Sequence, residues 1–297
     1  RFDLVGVVLS AAAIFLIVFG LQEGEKFDWG TITGPITVWG LIISGVVLLA
    51  VFIVQQRYTR SESLVPLELF RDRNFAGANV AIAAVGFTVT SMSLPYMFYL
   101  QLARGLTPTE AALLMIPMAV ISGLLAPVAG ALLDRVDPRL ILIPGLLCVG
   151  GAIVWNAALM NLDTPTWMFL LPSTLLGIGS AGMWGPLATT ATRQLPTRLA
   201  GSGAGIYYST RTIGSVVGSA AIAAFMQARL EANLPAGAAE APAGEGFAGG
   251  ALPPVIAEGF STGMAQSMLL PACVMVVALV ASLFLGRSQP AGAAQKV

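Results

Sequence analysis

The chain has 297 residues, of which 56% are hydrophobic and only 10% charged, and its formal net charge is zero. A soluble domain carries about a quarter charged residues, so this composition, with a mean hydropathy of +0.83, predicts an all-α polytopic membrane protein embedded in a lipid bilayer. The balanced charge argues against a nucleic-acid partner. Histidine, the usual metal ligand and proton shuttle, is absent, and no nucleophile–base pair is evident. We therefore expect no metal, no cofactor and no enzymatic activity.

Apolar segments long enough to cross a membrane follow one another along the chain. Two of them lie within residues 1–55, where a short acidic loop joins them, and a charged linker follows at residues 56–73. Six more occupy residues 74–286, and the polar tail at 287–297 is expected to be disordered. The sequence thus predicts eight membrane-spanning helices, two before the linker and six after it.

The loops carry their positive charges unevenly. With eight crossings, 11 of the 15 Lys and Arg residues fall on the side that holds both ends of the segment. Cytoplasmic loops are enriched in Lys and Arg. We therefore expect both termini of this segment to lie in the cytoplasm, and the long loop at residues 228–261 to lie outside.

The third and fourth segments contain the first candidate substrate contacts. Tyr96 and Gln101 belong to a stretch rich in aromatic residues and methionines, which suits a cavity for lipophilic compounds. Lipid contact or helix packing is the alternative for each of them. Glu110 follows Thr107 at the spacing of a capping box, in which the two side chains satisfy the first backbone amides of a helix. Contact with substrate or a proton at the exterior mouth is the alternative for Glu110.

The sixth segment contains Trp184 directly before a Gly-Pro pair. Proline removes a helical hydrogen bond. The pattern predicts a break in the helix whose freed backbone groups face a cavity, with helix packing as the alternative.

The seventh segment, which begins at Leu199, carries an arginine close to the membrane midplane. At ~1.5 Å per residue, Arg211 lies about 18 Å along this helix. A charge at that depth must face protein or water. Tyr207, Gly214 and Gly218 fall on the same arc, and the GxxxG formed by the two glycines is typical of close helix packing. Arg211 either lines or controls a path through the helix bundle or is held structurally by backbone carbonyls.

One motif resembles a family signature. Residues 130–139 read GALLDRVDPR. They resemble the G-x-L-[AS]-D-R-x-G-[RK]-[RK] motif of the major facilitator superfamily, although Asp137 and Pro138 depart from it. By this resemblance Asp134, Arg135 and Arg139 form a gating loop on the cytoplasmic side, where charge-assisted hydrogen bonds stabilise one gate state. An ordinary positively charged loop is the alternative.

The arrangement of the whole chain is similar to the C-terminal portion of a fourteen-helix drug:proton antiporter of that superfamily. The resemblance implies two central linker helices and a six-helix transporter half, with an N-terminal six-helix half missing here. Every carboxylate except Glu110 lies in a loop, a terminus or a helix end, so a proton-carrying residue would belong to the missing half.

The function expected from this resemblance is proton-coupled efflux of lipophilic drugs or other small molecules across the plasma (inner) membrane. One alternative is an exporter of a lipid, a siderophore or a sugar on the same fold. Another, of a different class, is a membrane scaffold or partner subunit that transports nothing.

Overall fold

The computed structural model describes residues 4–24, 27, 29–58, 67–193, 195–235 and 252–286. Most of the charged linker, the middle of the long loop at 228–261 and the tail at 287–297 lie outside these residues. The predictions made for those segments therefore remain predictions.

The chain begins with a helical hairpin. Helix α1 (Leu4–Glu23) packs against α2 (Val38–Tyr58). Between them two short antiparallel strands, β1 (Thr31–Thr33) and β2 (Ile36–Thr37), form a turn that the sequence did not predict. Gly34 lies in this turn with φ of +55°, a left-handed conformation that glycine adopts without steric cost.

The remaining helices follow in chain order. They are α3 (Arg73–Phe98), which runs on into a π-helical turn (Tyr99–Ala103), then α4 (Pro108–Leu113), α5 (Ile116–Leu133), α6 (Arg139–Leu159), α7 (Leu170–Thr192), α8 (Ala200–Asn233), α9 (Pro254–Ser267) and α10 (Leu269–Leu283). Short 3₁₀ turns precede α3, α7 and α8.

Local sequence determines where two of these helices begin. A carboxylate oxygen of Asp72 accepts hydrogen bonds from the backbone N–H groups of Asn74 and Phe75, which caps α3. The Thr107 hydroxyl and the Glu110 carboxylate form the predicted capping box at α4, with Pro108 in the first helical position.

The described helices suit a multi-pass membrane protein. Seven stretches are long and apolar enough to cross a bilayer, with α4–α5 and α9–α10 each counted as one, and α1 adds the shorter apolar stretch Val8–Glu23. Large apolar side chains such as Trp39, Ile43 and Val47 on α2 are exposed, as expected for lipid contact.

Helix α3 lies at the centre of the packing. It contacts α8, α10 and α7, and the main core around Tyr99, Phe169 and Phe260 fills the space between these helices, α6 and α9. Helices α1 and α2 pack mainly on each other, and α1 also lies against α8. This arrangement brings α7 and α8 side by side along one flank of α3.

The predicted break in the sixth segment is wrong, because α7 is a continuous helix from Leu170 to Thr192 with Pro186 inside it. The Thr190 hydroxyl donates to the carbonyl of Pro186, one turn back. Gly182 contacts the backbone of Gly145 on α6. The helix thus continues through the proline and packs closely on α6 one turn before it.

Candidate functional site

A cavity of about 260 Å³ lies between α7 and α8. Its lining residues are Trp184, Ala188, Tyr207, Tyr208 and Arg211. Trp184 lies eight residues before the end of α7, about 12 Å along the helix axis, and Arg211 lies eleven residues into α8, about 16 Å. Both positions are close to the middle of a hydrocarbon core ~30 Å thick.

Stacked and edge-on contacts hold the side chains in this cavity. The Arg211 guanidinium carbon lies 4.3 Å from the centre of the Trp184 ring, the geometry of a cation–π interaction. The rings of Tyr207 and Tyr208 meet edge to face, with centroids 5.5 Å apart. Tyr207 is buried, whereas Tyr208 is exposed and Arg211 is half-buried, so the cavity is open on one side.

Small residues bring α8 against α3 at the same level. A Cβ atom on Gly214 would clash with the Ala83 carbonyl, and one on Gly218 would lie 2.6 Å from the Phe87 carbonyl oxygen. Gly86 on α3 in turn accommodates the Arg211 carbonyl oxygen. The glycines predicted to pack a partner helix thus lie against α3, and they place Arg211 beside α7.

A second cavity, of about 410 Å³, lies at the predicted cytoplasmic end of α5 and α7. Its lining includes Asp134, Thr189, Thr192 and Arg193. Ala188 lines both cavities. Residues 184, 188 and 192 are spaced four apart and share one face of α7, so the two cavities adjoin along that face.

The three residues predicted to form a gating loop lie in and after the C-terminal end of α5, and of these Asp134 lines the second cavity. Asp134 is the C-cap of α5 and is exposed, as is Arg135. Asp137 accepts a hydrogen bond from the backbone N–H of Arg139, so this departure from the motif starts α6. Within the described residues, Nε and Nη2 of Arg139 and both Nη atoms of Arg193 are buried without a hydrogen-bond partner.

Arg193 is a residue that the sequence did not single out. It was counted only as a positive loop charge, yet it lines the cavity with Asp134. Tyr208 and Ala188 were missed in the same way. Their roles depend on which helices become neighbours, and the sequence offers no local signal of that.

The remaining predicted substrate contacts lie away from both cavities. Tyr96 is buried in the core, its ring centre 6.1 Å from that of Phe169, beside a void of about 40 Å³. Gln101 is half-buried and lies 3.9 Å from the Met97 sulfur. The Glu110 carboxylate is exposed and accepts hydrogen bonds from the Thr107 backbone N–H and hydroxyl, so its capping role is present in the structure.

The charge pattern of the described helices is asymmetric. Their carboxylates, Glu23, Glu110, Glu231 and Glu258, all lie within one or two turns of a helix end, whereas Arg211 lies eleven residues into α8. Among the described residues, no cluster of His, Cys, Asp and Glu could hold a metal ion. The site is therefore aromatic and cationic.

Comparison with known proteins gives consistent results. The family model described as the Major Facilitator Superfamily matches residues 4–219. An uncharacterised MFS-type transporter of Mycobacterium tuberculosis, Rv1250, is 42% identical over 96% of this chain and 49% of its own length. A tetracenomycin C resistance and export protein of Streptomyces glaucescens is 27% identical over 97% of this chain and 57% of its own length. The multidrug resistance protein Stp of M. tuberculosis is 29% identical over 79% of this chain and 42% of its own length.

The chain thus spans about half the length of these relatives. Its fold is similar to that of a bacterial homologue of the human lysosomal transporter Spinster, solved in an inward-facing, unoccupied conformation. The TM-score is 0.57 at 18% identity, over 94% of this chain and 70% of the other. Because the family model matches well over half of the residues, the chain belongs to the Major Facilitator Superfamily.

Proposed function

We propose that this chain is part of a secondary transporter that exports lipophilic small molecules across the plasma (inner) membrane, driven by the proton gradient. The observation that carries the proposal is the cavity between α7 and α8, where Trp184, Tyr207, Tyr208 and Arg211 meet near the middle of the helices. A cavity of mostly aromatic lining with a few placed polar groups is typical of small-molecule sites.

The position of the two cavities, side by side along α7, supports transport rather than binding alone. Ala188 lines both the aromatic cavity and the one that includes Asp134 and Arg193. A compound held at Trp184 would then have a route along α7 to the predicted cytoplasmic side. In this proposal, Asp134, Arg135 and Arg139 form the gate at the end of that route.

The open side of the aromatic cavity supports a further part of the proposal, that the site is closed by a second group of helices. We assign that role to an N-terminal six-helix half, with α1 and α2 as linker helices between the halves. In the described helices every carboxylate lies at or near a helix end, so we assign the proton-carrying residue to the other half as well.

Transport assays test the proposal directly. The protein, produced from its complete gene, is reconstituted into liposomes, and the movement of lipophilic fluorescent dyes is followed under an imposed proton gradient. We expect gradient-dependent transport that Trp184→Ala lowers severalfold. The matched control is Trp167→Ala, since Trp167 is exposed and lies outside the cavity.

Two outcomes would favour the alternatives. Transport of lipids, siderophores or sugars but not of dyes would agree with a transporter of this fold but would contradict the proposed class of substrate. A well-folded protein that moves no compound under any gradient would contradict the transporter proposal and favour a scaffold or partner subunit. The relatives named for tetracenomycin C export and multidrug resistance favour small-molecule efflux.

A further inference from the structure

The aromatic cavity contains hydrogen-bond donors that no described residue uses. Tyr207 is only 3% exposed, and its hydroxyl oxygen is buried without a hydrogen-bond partner in the described part of the chain. A buried hydroxyl left unpaired is unfavourable. Tyr207 lines the cavity, so a bound molecule whose acceptor reaches this hydroxyl would supply the missing partner.

Arg211 offers further donors in the same cavity. Its described contact is with the face of the Trp184 ring, and no ion pair or side-chain hydrogen bond of Arg211 occurs among the described residues. The five guanidinium N–H groups lie in the plane of the group. The contact with the Trp184 ring uses none of these donors in a conventional hydrogen bond, so they remain available to a ligand.

The positive charge of Arg211 determines which ligands the cavity favours. A guanidinium has no acceptor and stays protonated, so a cationic ligand would be repelled, and the described helices contain no carboxylate near their middle to offset this. An anion would be attracted, and hydrogen bonds from a guanidinium to a carboxylate are among the strong ones. The walls formed by Trp184 and Tyr208 favour a flat ring system next to the anionic group.

We propose that this cavity selects planar aromatic anions, with the carboxylate or phenolate on Arg211 and the Tyr207 hydroxyl and the rings against Trp184 and Tyr208. The inference rests on the proposed function, because it takes this cavity to be the substrate site. The volume of about 260 Å³ lies just below the roughly 300–1,000 Å³ of drug-sized pockets. A compound of one or two fused rings therefore matches it.

Three probes that share one ring system and differ in charge test the selectivity for anions. Binding of 2-naphthoate, 2-naphthylmethanol and 2-naphthylmethylamine is measured by calorimetry on the protein, produced from its complete gene, in lipid nanodiscs. We expect the naphthoate to bind on the order of tenfold more tightly than the alcohol, and the amine to bind most weakly. Arg211→Gln should remove the preference for the anion, whereas Arg211→Lys should keep part of it.

Two further variants separate the roles of the groups. Tyr207→Phe should weaken naphthoate binding severalfold and alcohol binding less, since it removes one donor and no ring, and a donor contributes more to a carboxylate than to a neutral hydroxyl. Arg229→Gln is the matched control. Like Arg211, Arg229 lies over an aromatic ring, here 4.9 Å from the centroid of Phe225, but it lies outside the cavity. It should bind all three probes as the wild type does.

The outcomes distinguish this inference from the transporter proposal. Equal binding of the three probes, or a preference for the amine, would overturn the anion selection even if neutral dyes are transported. Naphthoate binding that depends on Arg211, without transport of any compound, would uphold the site and overturn the transport function. If Arg211→Gln does not fold, the order of the three probes on the wild-type protein still decides the question.

Discussion

The guanidinium of Arg211 lies 4.3 Å from the centre of the Trp184 ring, and this contact links α8 to α7 near the middle of both helices. A cation buried at this depth requires compensation, and the face of an indole ring is the strongest aromatic partner for it. The contact also positions a positive charge at the edge of a cavity. The contact between α7 and α8 and the positive charge of the cavity therefore both depend on Arg211 and Trp184.

The close approach of α8 to α3 gives the first prediction. Gly214→Ala should destabilise the protein by about 1–3 kcal/mol, the usual cost of overpacking, because the new methyl group would meet the Ala83 carbonyl. The control is Gly205→Ala on the same helix, where the added Cβ has no neighbour within 4 Å. We expect that variant to be at least as stable as the wild type.

Thermal unfolding in detergent, followed by tryptophan fluorescence, measures both variants. Gly214→Ala should also lower dye transport, since it pushes α8, and with it Arg211, away from its position beside α7. A Gly214→Ala protein as stable and active as Gly205→Ala would contradict the packing argument.

The cavity at the predicted cytoplasmic end of α5 and α7 gives the second prediction. Asp134 and Arg193 line it together without an ion pair between them in the described structure, and the Arg193 Nη atoms are buried and unpaired. If the two side chains pair in another gate state, Asp134→Asn should shift the gate equilibrium by about tenfold. Transport should fall while protein levels stay near normal.

Arg193→Gln should resemble Asp134→Asn, and the double variant should be little worse than either single one, as expected for residues that act together. Asp163→Asn is the control, because Asp163 is exposed and lies before the start of α7, at the opposite end of that helix from Arg193. Wild-type transport by Asp134→Asn would remove Asp134 from the gate.

The third prediction concerns Glu110, whose carboxylate caps α4. Gln also serves in a capping box, so Glu110→Gln should keep transport and melting temperature close to the wild type, whereas Glu110→Ala should lower the melting temperature. A loss of transport in Glu110→Gln without a loss of stability would instead favour contact with substrate or a proton.

Local signals in the sequence were sufficient for some of these features. The capping box at Thr107 depends on residues three apart, and the close packing of Gly214 and Gly218 depends on one face of one helix. Both patterns involve residues that are separated by no more than one or two helical turns. Composition alone was enough to predict a multi-pass helical protein.

Features that require two distant segments could not be predicted. Nothing near Arg211 in the sequence indicates that Trp184 is its partner, and nothing near Arg193 indicates Asp134. Nothing near Gly182 on α7 indicates its close approach to Gly145 on the neighbouring helix α6. Tyr96 was predicted as a cavity residue from its type, but the neighbouring helices bury it in the core.

The fourth prediction tests orientation. Asp163 and Arg198 lie beyond opposite ends of α7, and the positive charges predict that Asp163 is outside. Single cysteines at these positions, in a background lacking Cys148 and Cys273, should be labelled oppositely by an impermeant maleimide on intact cells. Labelling of Arg198→Cys but not Asp163→Cys would invert the topology, and labelling of both would contradict the number of crossings.

The last prediction addresses the junction between the two cavities. Ala188 lines both of them, one helical turn from Trp184 and one from Thr192. Ala188→Phe should fill the junction and slow transport severalfold, and 2-naphthoate binding should weaken as well, because the added ring takes space in the cavity of about 260 Å³ that Ala188 helps to line. Ala126→Phe is the size-matched control, since Ala126 is exposed on α5 and faces neither cavity. Transport and binding in Ala188→Phe that both match the Ala126→Phe control would show that compounds do not pass along this face of α7, and the route would then have to lie elsewhere.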